Sequence, residues 1–194
     1  MFGQPETSET VAGLVLIKDF VDAGEQAALL EAVDAQPWRS DLKRRVQHYG
    51  WVYDYKARRL NAAMKLGPLP AWTEPVAARM KAQGWMRSVD QVIVNEYQPG
   101  QGIARHVDVV NSFGATIASL SLDWQVPMKF TRLSDGQSVE IDLPVGSLLV
   151  LTGPARYEWA HEIQARMRDV RYGRREPRAR RVSLTFRTVN FDET

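Results

Sequence analysis

His106 and Asp108 stand two residues apart, and His161 lies far along the chain; with His48 these are the three histidines of a 194-residue sequence. In extended backbone, side chains two apart point to one face. An imidazole and a carboxylate on one face are two thirds of a 2-His-1-carboxylate triad. That triad holds Fe(II) and leaves three coordination positions open for reactants. His161 can supply the third ligand. A His-x-Asp pair alone is weak ground, because short patterns arise by chance and such a pair is more often a hydrogen-bonded surface feature.

The surroundings sharpen it. Val92-Ile93-Val94 reads as a buried strand before the Pro99-Gly100 turn, and Gly100 and Gly102 free the backbone to bend. Leu148 to Leu151 is another apolar run before His161. In the segment from Arg181 to Arg187, Arg181, Ser183, Thr185 and Arg187 share one strand face, and Val182, Leu184 and Phe186 share the other. Two arginines and two hydroxyls on one face suit a dicarboxylate, which arginine grips in a bidentate fork.

With these residues in place the sequence resembles the AlkB family of Fe(II)- and 2-oxoglutarate-dependent dioxygenases. The matching pieces are Asn95-x-Tyr97, Pro99-Gly100, His106-x-Asp108, the distal His161, and Arg181 with Arg187. The resemblance runs roughly from residue 13 to 190 and is strongest from 91 to 108. Leu120-Ser-Leu122, Leu148 to Gly153, Arg156-Tyr157 and Trp159-x-His161 look like the eukaryotic tRNA-modifying branch, whose extra RNA-binding and methyltransferase domains find no room in this length.

The resemblance implies Fe(II) held by His106, Asp108 and His161, with 2-oxoglutarate and O2 as co-substrates. It implies that Arg181 pairs with the distal carboxylate of 2-oxoglutarate, helped by Tyr97 and Ser183. Asn95 and Arg187 would then hold the chelating end, with Thr185 lining the same site. Family members often carry Asn where this chain has Ser183. The reaction implied is oxidation of an alkyl group on a nucleic-acid base, releasing succinate and CO2, and formaldehyde from an N-methyl. Repair members place an acidic residue two positions after the metal-binding Asp; here that position is Val110, which cannot accept from a base amino group. That argues against 1-methyladenine or 3-methylcytosine and toward other targets, tRNA wobble bases among them.

Substrate contacts are expected in residues 38 to 59. Trp38, Tyr49, Trp51, Tyr53 and Tyr55 there are interleaved with Lys43, Arg44, Arg45, Arg58 and Arg59. The family places a substrate lid in this region. Aromatics stack unpaired bases and cations hold phosphates. Alternation puts Tyr49, Trp51, Tyr53 and Tyr55 on one face, and Trp51 is the favoured base contact, with Tyr49, Arg44 and Arg45 beside it. His48 reads as a lid or surface residue rather than a ligand.

Composition sets the bounds. Apolar content is 44% and charged content 25%, as in a globular protein. There are no cysteines, which fits a reducing cytoplasm. Residues 1 to 10 lack the basic start and apolar core of a signal peptide. No apolar run reaches the ~18 residues of a spanning helix, so no membrane contact is expected. The net charge is +2, but residues 165 to 181 hold eight arginines against Asp169 and Glu176. That run is expected to be a poorly ordered basic arm that touches phosphates.

The elements that must position these groups follow from pattern. A strand is expected over 14 to 17, a helix capped by Asp22 to about 35, a strand or hairpin over 46 to 55 with Gly50 as a bulge, and a helix from 73 to 83. Short strands follow over 89 to 97, 104 to 109, 115 to 122, 127 to 132, 138 to 143, 147 to 151 and 182 to 190. The expectation is one α+β, mainly β domain over 1 to 194. It comprises a flexible start (1 to 13), an N-terminal α/β extension with the lid (14 to 88) and a sandwich core (89 to 190). The resemblance makes that core a double-stranded β-helix, a jelly roll with N-terminal helices against one sheet. A monomer acting on DNA or RNA with alkylated bases is expected. The alternatives are a hydroxylase or demethylase of protein side chains and, further off, a non-catalytic nucleic-acid-binding module.

Overall fold

Strict alternation over Arg181–Val189 sets the architecture. Val182, Leu184 and Phe186 are fully buried against one apolar layer, and the polar residues between them face the opposite side. A strand that packs on both faces must lie at the centre of a sheet with cover above and below. The computed structural model describes residues 3–40, 42–55, 60–171 and 173–190, and it has that arrangement.

Thirteen strands are described. They are β1 (Pro5–Thr7), β2 (Leu14–Ile17), β3 (Arg45–Tyr49), β4 (Gln91–Tyr97), β5 (Ile103–His106), β6 (Phe113–Leu122), β7 (Val126–Arg132), β8 (Ser138–Leu143), β9 (Leu148–Leu151), β10 (Trp159–Ile163), β11 (Arg168–Arg171), β12 (Arg174–Pro177) and β13 (Arg181–Val189). The major sheet is ordered β1-β2-β9-β6-β13-β4-β3 and the minor sheet β5-β10-β7-β8, with all pairs antiparallel. Two antiparallel sheets face to face are the jelly roll of the double-stranded β-helix.

Each face of the major sheet has its own core. The outer face carries Val92, Val94, Leu120, Leu148, Val150, Leu184 and Phe186, and two helices lie on it. Helix α1 (Ala23–Asp34) starts at a capping box: Asp22 accepts from the Glu25 N–H and Glu25 returns the bond. It buries Leu29 and Val33, one turn apart. Helix α2 (Glu74–Ala82) has proline in its first turn, buries Val76 and Met80, and is followed by Gly84 at φ +76°. The inner face carries Leu14, Leu16, Phe113, Ile117, Leu149 and Leu151. It meets Met128, Phe130, Trp159 and Ile163 of the minor sheet. The pocket lies in this inner layer. Truncating a fully buried side chain such as Phe186 would cost about 3–5 kcal/mol.

Three expectations need correction. Within the start expected to be flexible, residues 5 to 11 are built into the fold: β1 pairs with β2, Glu6 bridges Lys18 at 2.8 Å, and Val11 is fully buried. The basic run is not a poorly ordered arm. β11 and β12 form a hairpin, because its arginines meet carboxylates that sequence could not pair with them. Arg178 holds Asp169 with two 2.7 Å bonds in buried surroundings, Arg166 reaches Glu140 at 2.9 Å, and Arg171 reaches Asp142 at 3.3 Å.

The third correction concerns the lid. β3 ends at Tyr49, and Gly50 turns the chain at φ +77°, where an added Cβ would lie 1.9 Å from the Asp90 carbonyl oxygen. Alternation therefore stops at Gly50, and Tyr49, Trp51, Tyr53 and Tyr55 do not share a face. Arg58 and Arg59 lie outside the described residues.

Candidate metal centre and co-substrate pocket

The minor sheet brings the histidines together. β5 and β10 are antiparallel neighbours whose register sets His106 opposite His161, with ring centroids 4.4 Å apart. Asp108 lies just beyond the end of β5, outside the strand. Its carboxylate turns inward to His161 Nε2 at 3.6 Å. One ligand atom from each of His106, Asp108 and His161 falls within 4.8 Å of the others.

The protonation pattern suits a metal. His106 Nδ1 lies 2.8 Å from the Ala104 carbonyl oxygen. A carbonyl only accepts, so Nδ1 carries a proton and Nε2 is the nitrogen left to face a metal. His161 is pushed down to about 4 by burial first and then by His106, so its imidazole is neutral at neutral pH. Burial works against the charge on Asp108, but Arg187, followed by His161 and His106, outweighs it. The carboxyl is held far below the usual range. Two imidazoles and one carboxylate are the donor set that Fe(II) takes.

Beside the triad, the inner faces of β4 and β13 line the same pocket with Asn95, Tyr97, Arg181, Ser183, Thr185 and Arg187. β4 and β13 pair in register, with Arg181 opposite Tyr97 and Ser183 opposite Asn95. Arg181 is 1% exposed, donates to Ser121 Oγ at 2.9 Å and lies 5.4 Å from the Tyr97 ring centre. Burial lowers its pKa to about 10, and it stays charged at neutral pH. Its Nε and that of Arg187 are buried and find no partner among the described residues. A buried donor without a partner costs about 1–3 kcal/mol. A dicarboxylate in this pocket would satisfy both, so the residues fit 2-oxoglutarate as well as the metal.

Arg44, Tyr53 and Tyr55, each partly exposed, line the same pocket. Arg44 donates through Nε to Asn95 Oδ1 at 2.9 Å, and its guanidinium lies 5.9 Å from the ring centres of both Tyr55 and Tyr97. Tyr53 and Tyr55 meet edge to face at 5.1 Å. His48 accepts from the Tyr53 N–H through Nδ1, so its Nε2–H faces the Tyr55 hydroxyl at 3.1 Å. His48 is buried and braces the lid.

The other expected substrate residues lie elsewhere. Tyr49 packs edge to face on Trp72 over the outer core and donates to Gln47. Trp51 is buried beside Lys65, Leu69 and Val89 in a separate cleft, with its carbonyl bonded to Gln91. Arg45 stacks over Trp38 and forks onto Glu96. Val110 is half exposed. Sequence reasoning gave Arg156 and Gln91 no role in the site, although Arg156-Tyr157 stood among the matching motifs. Arg156 touches the Asp108 segment, and Gln91 accepts from Arg187 at 3.2 Å.

Comparison with known proteins follows this geometry. The description "2OG-Fe(II) oxygenase superfamily" fits a family model that matches residues 13–187. The chain is 36% identical over 203 residues to an alkylated DNA repair protein ALKBH8 homolog of Arabidopsis thaliana, covering 92% of this chain and 59% of that one. It is 36% identical to the tRNA (carboxymethyluridine(34)-5-O)-methyltransferase ALKBH8 of Macaca fascicularis, covering 81% of this chain and 25% of that one. The chain thus spans less than two thirds of both relatives. The solved structure of OsALKBH1 superimposes with a TM-score of 0.69 at 16% identity, over 95% of this chain and all of that one, which shows the fold.

Proposed function

Starting from a chain that belongs to the AlkB family of the 2OG-Fe(II) oxygenase superfamily, and is therefore an Fe(II)/2-oxoglutarate-dependent dioxygenase, we propose that it oxidatively demethylates or hydroxylates alkylated or modified nucleic-acid bases. The observation that carries this reading is the aromatic and cationic part of the pocket lining. Two tyrosine rings and the Arg44 guanidinium line the pocket that holds the triad, the pairing of stacking surface and cation that an unpaired base calls for.

When bound, iron supplies the oxidising chemistry, consuming O2 and 2-oxoglutarate to give succinate and CO2. The chain's own residues do the positioning. His106, Asp108 and His161 hold the metal. Arg181, Tyr97 and Ser183 take the distal carboxylate of the co-substrate, Asn95 and Arg187 the other end, and Thr185 the wall between. Ile103, Val109 and Met128 line the remaining space with apolar surface and keep water away. Tyr55 and Tyr53, rather than Trp51 and Tyr49, receive the base, and Arg44 orients it.

The absence of cysteine supports a cytoplasmic setting, and no described helix is long and apolar enough to cross a membrane.

The test is a substrate screen by succinate release. Oligonucleotides bearing methylated or wobble-modified bases should stimulate turnover above the uncoupled rate, and peptides should not. Tyr55→Ala should remove the stimulation, while Trp51→Phe should keep it. Stimulation by peptide alone would move the enzyme to the protein side-chain hydroxylases. No 2-oxoglutarate turnover at all would leave a binding module.

A further inference from the structure

Arg156 is among the largest buried side chains of the molecule, 2% exposed, and it forms no ion pair among the described residues. Its guanidinium bonds to backbone carbonyls of a single segment. Nη1 donates to Asp108 O at 2.7 Å, Nη2 to Val109 O at 3.3 Å, and Nε to Gly114 O at 3.4 Å. That segment carries one proposed metal ligand. Arg156 itself lies in the short helix α3 (Gly153–Tyr157), which leads directly into β10 and His161, a second ligand.

We propose that Arg156 is a positioning residue for the metal centre, locking the Asp108 turn to the strand that presents His161. Asp108 sits outside β5, so the β5–β10 ladder does not fix it as it fixes His106. A flat fork with five donors can hold three diverging carbonyls at once; an ammonium, with its donors on one point, cannot. A buried guanidinium without a bound carboxylate is costly to fold, which is hard to explain by packing alone. The carboxylate whose charge reaches it is that of Asp108, so it also supports the negative charge that a cation will meet.

This inference rests on the reading of His106, Asp108 and His161 as metal ligands, and its test separates the two. Co(II) is titrated into the purified chain and followed by absorption, alongside urea unfolding and the 2-oxoglutarate dependence of succinate release. Supporting residues of a metal site typically contribute about ten- to a hundredfold in affinity. Arg156→Gln should weaken Co(II) binding by that factor, and Arg156→Lys should weaken it less. In Arg156→Lys the KM for 2-oxoglutarate should stay near wild type, because Arg181 and its neighbours are untouched. Arg178→Gln serves as control, since it breaks a buried arginine pair in the hairpin. It should lower stability without changing Co(II) affinity. If Arg156→Gln does not fold, Arg156→Lys carries the test alone. Wild-type Co(II) affinity in a folded Arg156 variant would overturn the proposal, as would an equal loss of affinity in Arg178→Gln. A wild-type chain that binds no Co(II) would overturn the metal site itself.

Discussion

Arg187 donates through Nη2 to Asp108 Oδ1 at 2.6 Å, while Asp108 Oδ2 faces His161 Nε2 at 3.6 Å. The carboxylate is divided between a guanidinium and the His161 imidazole, with one oxygen turned to each. β13 supplies the cation, and the turn after β5 supplies the acid. The two sheets are therefore tied together at the point where the metal ligands meet.

Asp108→Ala removes both interactions at once. Metal-dependent 2-oxoglutarate turnover should fall to background while the β-sheet circular dichroism persists. Breaking a buried pair costs on the order of 3–5 kcal/mol, so the urea midpoint should drop as well. Succinate release and denaturant titration on the same preparation measure the two effects. Turnover at the wild-type level would remove Asp108 from the centre.

Arg181→Leu should separate stability from function. Arg181 is a buried charge with a hydroxyl and a ring beside it and no carboxylate. Replacing such a group with an apolar one of similar size is often neutral or stabilising. Without 2-oxoglutarate the variant should melt no lower than wild type. The KM for 2-oxoglutarate should rise by about two orders of magnitude or more, as expected when one side of a buried ion pair is removed. Wild-type turnover at limiting co-substrate would mean that another residue holds the acid.

Much of this site was legible because strands have period two. Arg181, Ser183, Thr185 and Arg187 could be assigned to one face without a structure, and all four line the pocket. His-x-Asp was legible for the same reason, although Asp108 lies just past the strand. What escaped depends on distant partners. Arg180 reaches Asp34, Asp123 and Glu96, and nothing in the spacing of these residues announces the pairing. The arginine run looked mobile because its compensating acids, Glu140 and Asp142, lie on another strand. The lid was misassigned because one glycine turn at Gly50 separates Tyr49 from Tyr53, and period two does not survive a turn.

Glu96 gives a pH prediction. Its side chain is buried between Arg45, at 2.6 and 2.7 Å, and Arg180, at 2.7 Å. Burial raises its pKa, but the two arginines outweigh burial and hold it below the ordinary 4.5. A carboxyl lowered in the folded state contributes stability that is full above its unfolded pKa and lost as pH falls through the folded one. Glu96→Gln should therefore cost on the order of 1–3 kcal/mol at neutral pH. The gap from wild type should close as pH drops below the ordinary carboxylate range. Urea midpoints of both proteins across that range decide it, and a gap independent of pH would show that the charge on Glu96 contributes nothing.

The hairpin supplies the last prediction. Its arginines divide into two groups. Arg166, Arg171 and Arg178 are held by carboxylates, whereas Arg168, Arg174 and Arg175 are exposed and form no ion pair among the described residues. Val170, 68% exposed, lies opposite Arg175 across the hairpin. The base of the hairpin is pinned near the pocket, since the Gly100 N–H donates to Arg166 O and Gln101 donates to Lys43 O beside Arg44. A strand whose base enters at Tyr55 would thus find free cations at the edge of the site. Changing Arg168, Arg174 and Arg175 to Gln should weaken oligonucleotide binding. It should also flatten the dependence on salt by about 0.7–0.9 in log–log slope for each phosphate that is no longer neutralised. Arg178 must be left alone, because its removal would strand Asp169 and unfold the hairpin. Uncoupled 2-oxoglutarate turnover should hold, since the metal centre is untouched. Unchanged affinity with an unchanged slope would assign these three arginines to solvent and leave substrate binding to Arg44 and the tyrosines.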